Sequence, residues 1–298
     1  MRKMLLIHSF LGVFISCSVL TAAQIRNVHN FKIASWNTNG DRWKSVKRIM
    51  DSEAIDVMGV QEAGKMPIPL AKVFIIGHVS GRYQENEIDI AGNGITEMML
   101  ENTYYVYYYD RTCPTSDRAQ TKKQNMAIVS RERATEVFLL PPETRRNSRN
   151  KKEAECDERL FINRPTLGIR IGNAYFFTLH TEPTLQNEAD LILNEINRFM
   201  NQVHPQATWI LMGDFNRAPN TVLGLTQLGS SMKPEIISSI KKTRGDNVYD
   251  YGIVGGPERQ ATSMKSMQVK VLPDRLNGGV GGELASDHKP VVFYTLRK

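Results

Sequence analysis

The sequence lacks a second long apolar run, an internal repeat and a proline- or serine-rich linker. After its first 23 residues, no segment is long and apolar enough to cross a bilayer, which excludes a protein with several helical membrane spans. The absence of linkers favours one domain over residues 24–298, a length that a single large domain can reach. Hydrophobic residues make up 41% and charged residues 23%, which excludes a largely disordered chain.

Residues 1–23 have the pattern of a secretory signal peptide. Arg2 and Lys3 form a basic start, the following residues up to Leu20 are mostly apolar, and Ala23 ends a group of small residues suited to cleavage. A membrane anchor and a lipid attached to Cys17 are alternatives. Both are disfavoured, because the apolar run is short and interrupted and because its sequence around the cysteine is a poor lipid-attachment signal. We therefore predict a secreted protein.

Only three cysteines are present, and signal removal leaves Cys113 and Cys156. Two predicted strands at 125–130 and 135–140 lie between them, joined by a short polar turn. The start and the end of such a hairpin lie at the same edge, so the loops carrying the two cysteines can meet. Export permits a disulfide; a bridge and two free thiols both remain open.

The chain is basic, with a formal net charge of +7 that becomes +5 (7 − 2) without Arg2 and Lys3. This charge is compatible with a polyanionic substrate but is weak evidence for one. The segment 145–152 carries five basic side chains in eight residues. It is interpreted as a solvated loop, with a nucleic-acid patch or a nuclear-entry signal as alternatives.

Short apolar runs with β character alternate with helical segments, which predicts one α/β (α+β) domain with a mixed or antiparallel sheet core. Strands are predicted at 31–36, 55–60, 104–109, 125–130, 135–140, 167–171, 174–179, 209–212, 251–254 and 291–294. Helices are predicted at 43–53 and 187–203. The region 64–100 shows only short pieces of pattern. The tyrosine-rich run 104–109 is interpreted as strand packing rather than a base-stacking platform, and the glycine-rich run 277–282 as a connection rather than a phosphate loop.

Polar residues that suit phosphate chemistry stand at the ends of these apolar strands, where a rigid core can hold them. Each has an ordinary structural explanation when taken alone, such as a turn or a satisfied buried histidine. Together they predict a site for hydrolysis of a phosphate ester. They are Asn37, Glu62, His180, Asp214, Asn216, Asp250, Asp287 and His288.

The residue types indicate separate roles. Glu62 is the best candidate to bind Mg2+, which prefers oxygen ligands, with Mn2+ or Ca2+ as alternatives. Asp214 and Asn216, two apart on a segment predicted to be extended, would hold the attacking water and a phosphate oxygen. His288 oriented by Asp250 is a candidate general base near neutral pH. The histidine at position 180 would donate to a phosphate oxygen.

In this order, the pieces Trp36–Gly40, Gln61–Glu62, His180, Gly213–Asn216, Tyr249–Tyr251 and Ser286–Val291 resemble the endonuclease/exonuclease/phosphatase superfamily typified by deoxyribonuclease I. Within it, the runs Val60–Gly64, Asn125–Ser130, Arg164–Asn173 and Gly213–Pro219 are similar to the B subunits of cytolethal distending toxins. The resemblance extends from about Phe31 to Phe293 and fades between residues 65 and 120.

This resemblance implies a four-layer sandwich, in which two packed mixed β-sheets are flanked by helices, with the site at one edge. It implies a secreted toxin nuclease that cuts host-cell DNA, with separate delivery subunits and the host nucleus as a destination. It assigns Asn37, Glu62 and Asp287 to the metal and the other strand-end residues to hydrolysis. Arg164 is expected to grip the DNA backbone. Lys123 stands where a second arginine is expected, two residues before Asn125, and keeps the charge without the bidentate fork. With Arg164, Lys123 and Asn125 are the phosphate contacts that the resemblance implies.

Two other functions remain open on the same residues. A phosphoinositide offers the same metal-bound phosphate chemistry, so a phosphoinositide phosphatase is one alternative. A catalytically silent binding subunit is the other, although every expected acid and histidine is present.

Overall fold

The computed structural model describes residues 26–67, 73–79, 95–110, 125–140, 164–185, 187–222, 234–257, 267–273 and 286–296, with only the backbone course of 73–79. The predicted signal peptide 1–23, Lys123, the cysteines Cys113 and Cys156, and the segments 145–152 and 277–282 lie outside these residues. No helix within the described ranges has the length and apolar character needed to span a bilayer.

Fourteen strands and two α-helices form the described framework. The strands are β1 (Ile33–Asn37), β2 (Val57–Gln61), β3 (Val73–Val79), β4 (Ile95–Leu100), β5 (Tyr104–Tyr109), β6 (Met126–Ser130), β7 (Glu136–Leu140), β8 (Thr166–Ile171), β9 (Ala174–His180), β10 (Thr208–Asp214), β11 (Glu235–Ile237), β12 (Asp250–Gly255), β13 (Met267–Val271) and β14 (Val291–Thr295). The helices are α1 (Trp43–Ser52) and α2 (Glu188–Val203). Short 3-10 turns occupy Val28–Asn30 and Pro219–Thr221.

The strands form two mixed sheets. The first has the order β13-β14-β1-β2-β6-β5-β4-β3, and the second has the order β11-β12-β10-β9-β8-β7. The pairs β1–β2 and β9–β10 are parallel, whereas the other paired strands run antiparallel. The predicted mixed sheet is confirmed.

Among the described residues, three apolar clusters separate four layers. One lies between the sheets and includes Ile33 of the first and Phe176 of the second. A second joins the outer face of the first sheet to α1 through Ile49, and a third joins the second sheet to α2 through Ile192 and Ile196. Because both faces of each sheet are covered, the central strands are apolar on both sides rather than alternating with polar residues. The four-layer sandwich implied by the resemblance is confirmed.

Local patterns located most elements within two residues, including both helices. The strands β3 and β4 were not predicted, since 64–100 showed no clear alternation, and neither were β11 and β13. The predicted packing role of 104–109 is confirmed, because Tyr104, Tyr107, Tyr108 and Tyr109 are buried. Tyr108 also donates a hydrogen bond to the Gly64 carbonyl at 2.6 Å, just after Glu62.

Candidate active site

The parallel pairs bring the predicted residues to one edge of the sandwich. In β1 and β2, Asn37 pairs in register with Gln61. In the other sheet, Asp214 of β10 pairs with His180 of β9 on one side and with Asp250 of β12 on the other. β12 is antiparallel to β10, so its first residue lies where β10 ends. The carboxyl ends of four strands and the start of a fifth therefore meet.

A buried polar bridge aligns the two sheets behind this edge. The Gln61 side chain donates to Thr178 Oγ1 at 2.6 Å and to Ser35 Oγ at 3.2 Å. All three residues are fully buried. Buried polar groups need such partners, and the bridge therefore sets the position of the β2 end relative to β9.

The backbone turns sharply after two of the strands. Glu62 has φ +46° and Asn216 has φ +48°, both left-handed values that are uncommon for residues other than glycine. The prediction of an extended segment from Asp214 to Asn216 is therefore wrong. The Asn216 N–H instead donates to Asp214 Oδ1 at 2.9 Å, and its side-chain amide donates to the Thr181 carbonyl at 2.7 Å.

A glycine allows β10 to approach β9 closely just before Asp214. Gly213 has φ +156°, and a Cβ there would lie 2.1 Å from the Leu179 carbonyl oxygen. Any side chain would force the strands apart. The glycine therefore helps to place Asp214 beside His180.

Asn37 links the carboxylates of the two sheets. Its Nδ2 donates to Glu62 Oε1 at 3.1 Å and to Asp214 Oδ2 at 3.0 Å. Asn37 and Asp214 are fully buried, whereas the Glu62 side chain keeps 15% exposure. Glu62 is therefore hydrogen-bonded to Asn37, while part of its side chain stays open to solvent. One amide thus holds two carboxylates close together.

His288 lies between two buried aspartates. Its Nδ1 is 2.9 Å from Asp250 Oδ2, and its Nε2 is 3.5 Å from Asp214 Oδ2. The bond to Asp250 assigns the Nδ1 proton, which leaves Nε2 toward Asp214 as the basic nitrogen. Burial opposes protonation of the ring, but the charge and hydrogen bond of Asp250, with smaller effects of Asp214 and Asp287, raise the pKa of His288 to about 8.

The pKa of Asp214, which faces His288, is shifted as well. Burial first, and then the charge of Asp250, raise the pKa of Asp214, while His288 and two hydrogen bonds oppose the shift. A high-pKa imidazole next to a buried carboxylate is an arrangement typical of proton transfer.

A first prediction concerns this pKa. In Mg2+-free protein, the His288 ring is expected to titrate near pH 8 by NMR, and Asp250→Asn should lower that pKa because it removes the anion that favours the imidazolium. His204 is a control, since burial lowers its pKa and Asp250 is not among the causes. A wild-type value at or below 6.5, or no change in Asp250→Asn, would contradict the assigned pair.

His180 also faces the centre. Its Nε2 is 3.6 Å from Glu62 Oε1 and 3.6 Å from Asp214 Oδ2. Its side chain is 10% exposed. The structure thus brings the side chains of His180, Glu62 and Asp214 together.

Three further residues, which the sequence analysis did not predict, contact the site residues Asn37, Asp287 and His288. Ser286 Oγ donates to the Asn37 carbonyl at 2.8 Å and accepts the His288 N–H at 3.1 Å. Asn39 Nδ2 donates to Asp287 Oδ1 at 3.2 Å. Arg244 pairs with Asp287 at 3.1 Å. Ser286 and Asn39 lie within the motifs that carry the superfamily resemblance, so the sequence offered a signal for both. No sequence pattern indicated a role for Arg244.

Two predicted phosphate contacts have other partners. Asn125 is buried, and its side-chain amide donates to the Gly64 carbonyl at 2.9 Å and to Tyr108 Oη at 2.7 Å, so it supports the loop after Glu62 instead of facing solvent. Arg164 pairs with Glu182 and donates to the His180 carbonyl at 3.1 Å. Both are thus engaged within the protein.

Comparison with known proteins agrees with this geometry. Residues 34–224, more than half of the chain, match the Endonuclease/Exonuclease/phosphatase family. The chain belongs to the endonuclease/exonuclease/phosphatase family. The predicted superfamily and the prediction of a phosphodiester-cleaving hydrolase are confirmed.

Relatives within this family are toxin components. The B subunit of the cytolethal distending toxin of Escherichia coli is 27% identical over 281 residues, which cover 88% of this chain and 90% of that protein. A homolog of this toxin component from Salmonella typhi is 26% identical over 300 residues, covering 95% and 96%. The crystal structure of the Haemophilus ducreyi cytolethal distending toxin superposes with a TM-score of 0.67 at 25% identity, covering 91% of this chain and all of that chain. The predicted likeness to these toxin components is confirmed, and it supports a toxin function of the phosphodiesterase type.

Enzymes of the endonuclease/exonuclease/phosphatase family depend on a divalent metal, and the donors at this edge fit one. Glu62, Asn37 and Asp287 offer hard oxygen atoms, the type that Mg2+ prefers. Asp214, Asp250 and His288 form a second set with ligand atoms within 4.8 Å of one another. In that set Nδ1 of His288 already bonds Asp250, which favours proton transfer over metal binding.

Proposed function

We propose that this protein is a secreted toxin enzyme that hydrolyses phosphodiester bonds of host-cell DNA with Mg2+. The observation that carries the proposal is the buried His288–Asp250 pair, whose basic nitrogen faces Asp214 at 3.5 Å beside the Glu62–Asn37 pair. A general base, a carboxylate that can accept a hydrogen bond from water, and a carboxylate suited to bind a metal ion lie within a few ångströms of one another. This is the set that hydrolysis of a phosphodiester requires.

His288 can act as the base because one ring nitrogen bonds Asp250 and the other faces Asp214. Asp214 accepts a hydrogen bond from the attacking water, and Nε2 of the neutral His288 ring takes a proton from that water. The water oxygen bonds to phosphorus as the bond from phosphorus to the leaving oxygen breaks. The resulting imidazolium is stabilised by Asp250, whose carboxylate accepts from Nδ1. Because burial around the pair lowers the local dielectric, that stabilisation is larger than it would be in water.

The remaining residues act on the phosphate. His180 donates to a non-bridging oxygen, and Asn216 donates its second amide hydrogen to a phosphate oxygen. Glu62, Asn37 and Asp287 would hold the cation. When bound, the cation supplies a positive charge that polarises the phosphate and stabilises the charge that develops on its oxygens.

The chemistry alone does not distinguish DNA from a phosphoinositide, because both present a phosphate to the same residues. The toxin relatives and the basic net charge favour DNA. A catalytically silent binding subunit is disfavoured, since His288, Asp250 and Asp214 are all present and lie in contact.

The test compares purified protein on supercoiled plasmid and on phosphoinositide vesicles, each with Mg2+. Nicking of the plasmid without comparable phosphate release from lipid is the expected result. Faster phosphate release from lipid than plasmid nicking would replace DNA with phosphoinositide as the substrate. Activity on neither would refute the proposed function.

We further propose that residues 1–23 direct export, that delivery into a host cell depends on separate subunits, and that DNA is reached in the host nucleus. The support is the sequence pattern of the first residues and the toxin identity of the relatives. Expression in the native host tests the export step. Cleavage near Ala23 and recovery outside the cell are expected, and retention of an uncleaved chain would contradict it.

A second prediction concerns the basic segment 145–152. If it contacts DNA, replacing its five basic residues with serine should weaken DNA binding and make log K depend less steeply on log salt, by about 0.9 per lost phosphate contact. Titrations at several salt concentrations measure this. Lys47→Ser and Arg198→Ser on the two helices are controls. An unchanged affinity and slope would show that the segment does not contact DNA.

A further inference from the structure

Glu188 is a buried carboxylate for which the proposed chemistry has no use. It is the first residue of α2 and is fully buried. Its Oε1 accepts the backbone N–H of Arg164, just before β8, and its Oε2 accepts the backbone N–H of Glu182, just after β9. One carboxylate therefore ties together two chain segments next to the site.

The side chain of Arg164 completes this connection. It is 11% exposed, and it pairs with the Glu182 carboxylate while donating to the His180 carbonyl at 3.1 Å. The pairing with Glu182 offsets the charge that Arg164 would otherwise present to a phosphate. Its observed contacts are therefore those of a residue that holds the main chain of His180.

The segment that follows His180 is held from the other side as well. The Thr181 N–H donates to the Asp214 carbonyl at 3.0 Å, and Asn216 donates to the Thr181 carbonyl at 2.7 Å. His180 thus has its main chain fixed between Arg164 and the end of β10. Its ring lies 3.6 Å from Glu62 and from Asp214 as a result.

A carboxylate suits the position of Glu188 better than an amide. Both oxygens of a carboxylate accept hydrogen bonds, whereas glutamine would turn an NH2 group toward one of the two backbone N–H donors. A buried donor that is left without a partner is strongly unfavourable. Burial raises the pKa of Glu188 to about 7, while the charge of Arg164 and the two backbone hydrogen bonds oppose that shift and so stabilise the carboxylate form.

We propose that Glu188 and Arg164 are positioning residues for the reaction: they hold the main chain at His180 so that its ring faces the phosphate. This inference depends on the proposed function, in which His180 donates to that phosphate. It differs from the expectation that Arg164 grips the DNA backbone. Replacing a residue that binds the DNA backbone mainly raises KM, whereas replacing a positioning residue mainly lowers kcat.

The test measures steady-state nicking by Glu188→Gln and Arg164→Gln, alone and combined with His180→Ala. Each single variant is expected to lower kcat by on the order of tenfold or more with KM nearly unchanged, because displacements of about 1 Å in a catalytic group can cost 10²-fold. In the His180→Ala background, neither should lower kcat further, since the group they position is gone. NMR of the His180 ring in Mg2+-free protein should show a shifted or broadened signal in both variants.

Glu195→Gln is the matched control, because Glu195 lies on the same helix and pairs with Arg198 at its surface. It should change neither kcat nor the His180 signal. A higher KM at constant kcat in Arg164→Gln, or effects that add to those of His180→Ala, would overturn the inference. If Glu188→Gln does not fold, Arg164→Gln decides. If the wild type cleaves no phosphate ester, the proposed function fails, and the His180 signal still decides the positioning.

Discussion

Replacing His288 with alanine is expected to lower the rate of plasmid nicking by on the order of 10²-fold or more. The variant removes the nitrogen that faces Asp214 at 3.5 Å and leaves the buried Asp250 carboxylate without its partner at 2.9 Å. A water held by Asp214 would then lack a neighbouring base. The measurement is the initial rate of conversion of supercoiled to open-circular plasmid at saturating Mg2+.

Folding must be separated from chemistry, because His288 is buried and removing its side chain leaves an unpaired acid behind. Circular dichroism and thermal unfolding identify the temperature range in which the variant is native. His204→Ala is the matched control, since this histidine caps the far end of α2 and contacts Glu136. A folded His288→Ala protein that nicks DNA at the wild-type rate would remove His288 as the base.

Removal of the divalent cation has the other large expected effect: EDTA should abolish nicking, and added Mg2+ should restore it. Glu62→Gln should raise the Mg2+ concentration needed for half-maximal activity by more than about tenfold, since even residues outside the ligand shell change metal affinity by about 10–100-fold. Glutamine keeps the length of the side chain and can still accept from Asn37, which isolates the lost charge. Mg2+ titrations of nicking, together with calorimetry, measure the shift.

The control for this substitution is Glu101→Gln. Glu101 also has a left-handed backbone, but its 42% exposed side chain pairs with Lys47 on the protein surface. Its Mg2+ dependence should equal that of the wild type. Activity of the wild type in metal-free buffer, or an unchanged Mg2+ requirement in Glu62→Gln, would refute the assignment of Glu62.

Much of the candidate site could be predicted because each residue follows a local signal. Asp214 ends an apolar run, Glu62 follows another, and His288 precedes a third. An apolar run bounded by polar residues defines a strand and its end without reference to distant residues. The order of these pieces then indicated the family, even though no piece does so alone.

Other features depend on contacts between distant segments, which no local pattern encodes. Asn125 was expected near the phosphate, but the pairing of β5 with β6 places its amide between Tyr108 and Gly64. The left-handed turn at Asn216 was missed because asparagine after a strand is compatible with several backbone conformations. The edge strands β11 and β13 were missed because short strands acquire their structure from their neighbours.

The sequence by itself determined which residues stand at strand ends, the layered α/β class and the chemical type of the site. Only the tertiary structure decided which of these side chains meet: Asn37 between Glu62 and Asp214, and His288 between Asp214 and Asp250. The reason is physical. Strand formation follows from short-range apolar patterns, whereas the distance between two side chains is set by sheet register and by the packing of one sheet on the other.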